Sequence, residues 1–286
     1  MDNLKAKKRH PEEIAVYTAI YVCAAFSVLL LLGIIIYVFA KGARRVNWAF
    51  LTGVTSILHG TVGIAGNILN TLIIILLTMI ITTPIGVGAA IYLNEYAKPG
   101  KLVTVIIFAT ETLAGIPSII FGLFGMFFFG QLCHMGYSLL TGSLTLTLMV
   151  LPLVTRNTQE ALKTVPDSFR TGAVGLGAGK WYTIRTILLP SAMPGIVTGV
   201  ILAIGRIIGE SAALLFTAGS AHLLPKTFNA FLEKIFHSGG TLTIQLYLSA
   251  SKGEFEVAFG IAVVLLVIVL LINFGTKRLA KKLEKH

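Results

Sequence analysis

Three ionisable side chains stand inside otherwise apolar runs of this 286-residue sequence: Glu111, Arg206 and Glu210. Each costs roughly 2.5–3.5 kcal/mol at the centre of a membrane helix on insertion scales, so all three should face a bundle interior or a wet path. Arg206 and Glu210 are spaced i, i+4, which makes them neighbours on one face if the helix runs through both. Two readings follow. Either the pair is an internal salt bridge or a polar fastening to a second membrane protein, or Arg206 holds a passing oxyanion that Glu210 helps to release by competing for it. A planar guanidinium fork fits an oxyanion better than the point charge of a lysine. Glu111 precedes Pro117 by six residues and lies near Gly115, where a proline break frees backbone groups to line a cavity. It reads as a path residue or as a hydrogen-bonding partner for a neighbouring helix.

Other chemistry finds little footing. Gly175-Leu176-Gly177-Ala178-Gly179-Lys180 resembles a nucleotide phosphate loop, but Val174 replaces its first glycine and Trp181 its hydroxyl residue. The six histidines are scattered without a metal-binding spacing, and no Gly-x-Ser-x-Gly elbow occurs. Cys23 and Cys133 form neither a disulfide framework nor a zinc site. The sequence thus predicts no enzyme, no metal and no cofactor bound by this chain.

The elements that must position these residues are membrane helices. Hydrophobic residues make up 55% of the sequence and charged residues only 12%, against roughly a quarter charged in a soluble domain. A span needs about 20 mostly apolar residues. Six stretches qualify: Ile14 to Ala40, Ile68 to Leu93, Leu102 to Phe129, Ser138 to Thr155, Ala192 to Ala218 and Val257 to Phe274. The net charge of +11 sits mostly between these runs, which argues for orientation in a bilayer and against nucleic acid. With the N-terminus inside, sixteen Lys and Arg fall in cytoplasmic segments and six outside. The first run follows Lys5, Lys7, Lys8 and Arg9 but is longer than a signal-peptide core, so it is expected to stay as an anchor.

The expected division is therefore a basic cytoplasmic segment 1–13, a first helix 14–40, an extracytoplasmic loop 41–67, a transmembrane domain 68–274 and a basic tail 275–286. Both termini lie in the cytoplasm. Outside the membrane, Phe228, Phe231, Leu232, Ile235 and Phe236 form a one-sided helical stripe, packed on the bundle or lying in the interface. Leu242, Ile244, Leu246 and Leu248 alternate with polar residues and predict a strand. Gly195 with Gly199, and Gly205 with Gly209, have the spacing that lets helix backbones approach closely.

Between Thr155 and Pro190 lies a polar cytoplasmic segment, 156–190. Pro166-Asp167-Ser168 suits a helix start, Phe169, Ala173 and Leu176 follow at i, i+4, i+7, and Gly175, Gly177 and Gly179 end the helix. A short helix tethered between two spans suits a groove on another protein. Gly177, nine residues, then Ile187-Leu188-Leu189-Pro190 resembles the second half of the coupling-loop signature of bacterial ABC importer permeases. Thr171 and Gly172 stand where that signature has Glu-Ala, and Ala173 matches its third position. Further similarity covers Gly66 to about Leu248. It includes Asn70-Thr71-Leu72, Pro84 to Tyr96, Leu113-Ala114-Gly115-Ile116-Pro117-Ser118-Ile119, Val165 to Arg170 and Gly205-Arg206-Ile207-Ile208-Gly209-Glu210-Ser211-Ala212.

These runs resemble the A-type permeases of phosphate-specific ABC importers, of the binding-protein-dependent inner-membrane component family. The resemblance implies an all-α polytopic membrane protein with the type I importer permease fold. It also implies a second, C-type permease as heterodimer partner, two copies of a cytoplasmic ATPase that uses ATP, and an extracytoplasmic phosphate-binding protein. Coupling would fall to Phe169, Arg170, Ala173, Leu176, Gly177, Ile187, Leu189 and Pro190. The translocation path would fall to Arg206, Glu210 and Glu111. Sulfate, molybdate or phosphonate are alternative cargoes, and hydropathy alone also suits an ATPase-independent transporter.

Overall fold

Lipid offers a backbone no hydrogen-bond partners, so the apolar runs must close their N–H and C=O groups on themselves as helices. A computed structural model of the chain describes residues 11–56, 61–225 and 227–283. Lys5, Lys7, Lys8, Arg9 and Lys285 lie outside the described residues. The spans are α1 (Pro11–Gly42), α3 (Ala65–Ile91), the broken pair α4 (Lys101–Gly115) and α5 (Ser118–Gly125), α6 (Leu139–Lys163), α9 (Leu189–Gly209) and α13 (Phe255–Leu283). The shorter helices are α2 (Trp48–Thr52), α7 (Asp167–Gly175), α8 (Lys180–Thr183), α10 (Ala212–Thr217), α11 (Phe228–Glu233) and α12 (Leu242–Ser251). One antiparallel hairpin, β1 (Val54–Ser56) with β2 (Thr61–Ile64), sits in the loop after α1.

The expected six spans are present, with four local corrections. The third is bent by 104° between Gly115 and Ser118, because proline disfavours helical geometry in the residue before it and Ile116 and Pro117 are extended. The fourth continues beyond Thr155 to Lys163, carrying polar residues eight positions farther than hydropathy indicates. The fifth begins at Lys180, runs through α8, a wide π turn at Ile184–Leu188 and α9, and stops at Gly209 instead of reaching Ala218. Pro190 has no N–H to offer, and the π turn lies immediately before it.

The fourth correction is Leu242 to Leu248, which is helix and not strand. Leu242 and Leu246 pack into one apolar cluster with Phe50, Ile64 and Ile261, while Ile244 and Leu248 pack into the central one. A helix buried on two opposite sides shows apolar residues at every second position, and that is the source of the false alternation. Thr241 starts this helix by accepting a hydrogen bond from the Ile244 N–H. The aromatic stripe divides: Phe231 and Ile235 pack on the bundle, whereas Phe228, Leu232 and Phe236 are exposed. Lys234 between them is buried and donates to the Leu223 carbonyl, and burial pushes its ammonium below the ordinary lysine pKa.

α6 lies at the centre, against α3, α4, α5, α9 and α10. Two of its buried hydroxyls bond back onto its own backbone, Thr145 to the Thr141 carbonyl at 2.8 Å and Thr147 to the Ser143 carbonyl at 2.9 Å. The start of α3 holds the loop between α10 and α12: Asn67 and Asn70 donate to the Gly240 carbonyl at 2.9 and 3.0 Å, and the Leu242 N–H donates to the Thr71 hydroxyl at 3.0 Å.

α9 approaches α6 through glycine. A Cβ at Gly195 would stand 2.5 Å from that of Ala161, and one at Gly199 2.6 Å from that of Asn157, whereas Gly205 and Gly209 face open space. Only the first pair therefore packs helix on helix within this chain. Leucine at Gly195 or Gly199 should destabilise the purified chain by about 1–3 kcal/mol through overpacking. Thermal unfolding in detergent checks this, with Gly33→Leu in α1, where a Cβ meets nothing within 4 Å, as the unaffected control.

Candidate functional site

Two regions gather the residues that could do chemistry, one within the membrane and one at its edge. The antiparallel contact of α9 with α6 fixes the depth of the first. Gly195 meets Ala161 and Gly199 meets Asn157, so the next two turns of α9 bring Arg206 level with Met149 and Leu153. There a cavity of about 170 Å³ is lined by Thr110, Glu111, Ala114, Met149, Pro152, Leu153, Arg156 and Arg206. A second cavity of about 130 Å³, lined by Ile107, Thr110, Glu111, Arg156, Gln159, Glu160 and Lys163 among others, continues from it towards the end of α6. Thr110, Glu111 and Arg156 belong to both.

This arrangement is electropositive. Among the described residues, Arg156, Arg206 and Glu111 have no ion-pair partner within 4.0 Å and make no side-chain hydrogen bond. Two guanidinium groups thus face one carboxylate in a space walled by Met149, Pro152 and Leu153. Low-dielectric walls strengthen their pull on an anion. No residue of α4 is buried, so the cavity's α4 side, including Glu111, is open in the single chain.

Glu210 is not part of this cluster. The helix ends at Gly209 and Glu210 is extended, which breaks the i, i+4 relation to Arg206. Its carboxylate instead accepts from the Ala213 N–H at 3.0 Å and closes the first turn of α10, while its carbonyl accepts from Thr243 at 2.8 Å. The expected Arg206–Glu210 pair is absent because Gly209 stops the helix one residue too soon.

At the membrane edge, α7 begins after Pro166 with Asp167 at its positive end, as expected. It ends in a left-handed turn: Gly177 has φ +77°, with Ala178 N–H donating to the Ala173 carbonyl and Gly177 N–H to the Val174 carbonyl, both at 2.9 Å. The faces differ from the expected stripe. Ala173 is 5% exposed and faces the bundle, whereas Phe169 and Val174 are exposed and Leu176 is 91% exposed.

Arg170 also turns inward. Its Nη2 donates to Glu95 Oε1 at 2.9 Å and to the Leu162 carbonyl at 3.0 Å, and its Nη1 to the Val165 carbonyl at 2.9 Å and to Asp167 at 3.0 Å. The Glu95 side chain is 8% exposed and takes a further bond from Asn94 at 2.8 Å. The Glu95 hydrogen bond pushes Arg170 above the ordinary arginine pKa. Arg170 therefore fastens α7 to the ends of α3 and α6 and is not on its outward face. Ile187, Leu189 and Pro190 belong to the first turns of the fifth span, Leu189 packing on the cluster of Ile91, Leu162 and Ile184 while Pro190 is exposed.

Arg156, in the cavity, and Glu95, beneath α7, are the residues of these two regions that the sequence did not single out. Arg156 follows the last apolar window of the fourth span and so counted as loop. Glu95 closes an apolar run, and its signal was an acid at the same membrane edge as the basic segment 156–190.

Residues 82–286 match the family described as binding-protein-dependent transport system inner membrane component. The probable ABC transporter permease protein YqgI of Bacillus subtilis (strain 168) is 35% identical over 273 residues, covering 92% of this chain and 93% of that one. The phosphate transport system permease protein PstA of Xylella fastidiosa (strain Temecula1 / ATCC 700964) is 35% identical over 246 residues, covering 84% and 82%. Among solved structures, a bacterial alginate ABC transporter in complex with alginate pentasaccharide-bound periplasmic protein aligns over 96% of both chains with TM-score 0.70 at 13% identity. The inward-facing MetNI methionine ABC transporter aligns over 77% of this chain and 94% of that one with TM-score 0.58 at 21% identity. The fold is that of ABC importer permeases, and the chain belongs to the family of binding-protein-dependent transport system inner membrane components.

Proposed function

We propose that this chain is the A-type permease of an ATP-driven importer of inorganic phosphate. The observation that carries the reading is the cavity in which Arg156 and Arg206, both without an acidic partner in the described residues, face the carboxylate of Glu111. The phosphate transport permeases among its relatives support the choice of cargo. Arg206 receives the anion at mid-depth, and Arg156, two turns nearer the end of α6, takes it onward. Glu111 weakens the hold of both, or accepts a hydrogen bond from protonated phosphate, so that the ion is not trapped. Glu210 shapes the entrance by capping α10.

A second, C-type permease completes the open side along α4. Of two copies of a cytoplasmic ATPase, one docks on α7 through Phe169, Val174 and Leu176, and an extracytoplasmic protein delivers phosphate at the opposite end. Both termini are cytoplasmic, as the charge distribution favours. ATP is hydrolysed by the partner, and this chain binds no cofactor. When the ATPases close, α7 moves as a unit with the ends of α3 and α6 because Arg170 and Glu95 lock them together. Ile187, Leu189 and Pro190 pass the same motion into α9 and so to Arg206.

Uptake of radiolabelled phosphate in a strain deleted for this chain, with sulfate and molybdate as competitors, tests the cargo. Complementation should restore phosphate uptake that neither competitor suppresses, and suppression by either would reassign the substrate. With assembly confirmed, Arg206→Gln and Arg156→Gln should each lower uptake about ten- to a hundredfold, the worth of one charge-assisted contact.

Arg170→Ala should leave the complex hydrolysing ATP but importing more than about tenfold less phosphate per ATP, since an unpartnered buried Glu95 costs about 2–3 kcal/mol. Arg170→Lys should recover only part, because an ammonium cannot reach Glu95 and both carbonyls together. Gly177→Val should weaken ATPase association in pull-down, as a branched side chain in the left-handed region costs about 1–2 kcal/mol or more.

A further inference from the structure

Transport leaves unexplained a basic cavity at the end of the bundle opposite α7. It measures about 750 Å³ between the last turns of α1, the 3₁₀ turn Ala43–Arg45 and the start of α13. Lys41, Arg44 and Arg45 line it, with Glu256 the one acid. None of the three bases has a carboxylate within 4.0 Å or a side-chain hydrogen bond among the described residues, and Arg45 Nε is shut from solvent with no acceptor. The Arg45 guanidinium is fixed 5.9 Å from the Phe50 ring.

The cavity belongs to the lipid boundary. Lys41 follows Ala15 by 26 residues, roughly 40 Å of helix, which is the full depth of a bilayer with its headgroups. Trp48 nearby is 78% exposed, as an interfacial anchor should be. Below the bases the wall is apolar: Tyr37 and Phe259 meet edge to face with ring centres 5.7 Å apart. A side chain at Gly42 would run into the Phe259 backbone, so α1 and α13 close against each other there. The most apolar stretch of α1, in which no residue is buried, continues from this wall. Three unpaired bases on this side also run against the charge bias expected to orient the chain.

We propose that this cavity binds the phosphate diester of an anionic phospholipid. Lys41, Arg44 and Arg45 clamp the phosphate, and the acyl chains run down the groove between α1 and α13 past Tyr37 and Phe259. Glu256 accepts from headgroup hydroxyls such as those of phosphatidylglycerol. Free phosphate shares the anionic chemistry, but it has no use for an apolar floor continuous with lipid.

The test is native mass spectrometry of the chain, purified with its co-assembling subunits, delipidated and then mixed with micelles of phosphatidylglycerol and phosphatidylcholine. Wild type should retain phosphatidylglycerol in preference. The Lys41→Gln/Arg44→Gln variant, with assembly confirmed by gel filtration, should lose that preference by more than about tenfold, since one basic side chain near a charged surface contributes about fivefold. Lys41→Arg/Arg44→Lys should keep it.

An unchanged preference in the glutamine variant, or an equal loss on Lys277→Gln/Arg278→Gln at the other end of α13, would overturn the site. Displacement of the lipid by millimolar inorganic phosphate would overturn the lipid assignment in favour of the free anion. Weakened capture of an extracytoplasmic binding protein with lipid retention intact would overturn it in favour of protein docking.

Discussion

Two helix backbones meet with almost nothing between them where α9 crosses α6, and the rest of the path follows from that contact. Gly195 against Ala161 and Gly199 against Asn157 leave no room for the helices to slide or rotate. Their antiparallel register sets which residues share a depth, bringing Arg206 opposite Met149 and Leu153 with Arg156 two turns along. Had either glycine carried a side chain, the separation would widen and the cavity between the two guanidinium groups would lose its apolar walls. Packing in lipid depends on such close approach because no hydrophobic force draws one apolar helix to another there.

The same absence of water explains how polar residues are distributed. Thr145 and Thr147 of α6 bond one turn back on their own helix, and the amide N–H groups of Asn67 and Asn70 donate to carbonyls of a returning loop. Arg170 is satisfied by the carboxylates of Glu95 and Asp167 and by the Leu162 and Val165 carbonyls at the end of α6. Against that background, Arg156 and Arg206 line a cavity in the membrane without a carboxylate partner among the described residues. In the membrane an unpaired charge is expensive, and expense without an internal partner points to an external one.

Much of this was legible in the sequence, and what was not has identifiable physical causes. Apolar length located six spans, and Pro166, Asp167 and Gly177 located the helix between the fourth and fifth. Hydropathy could not see where a helix continues past the membrane, so α6 was cut at Thr155 and Arg156 was lost to a loop. Nor could it see where a helix stops inside an apolar run, so Glu210 was given to Arg206 when it caps α10. The alternation from Leu242 to Leu248 misled because a helix between two clusters shows the period of a strand. Arg170 was grouped with the residues that couple to an ATPase because its buried partner Glu95 lies 75 residues away and could not be seen.

α1 makes its contacts with α13 and the turn that follows it, and its apolar surface is otherwise bare. Such a helix is stable in a bilayer with no neighbour at all, and it leaves the ribosome before the other described spans. Its partner α13 is made well after it. The contact of Tyr37 with Phe259 joins residues 222 positions apart. Assembly of this side must wait until α13 is made, and until then α1 is held in place by lipid.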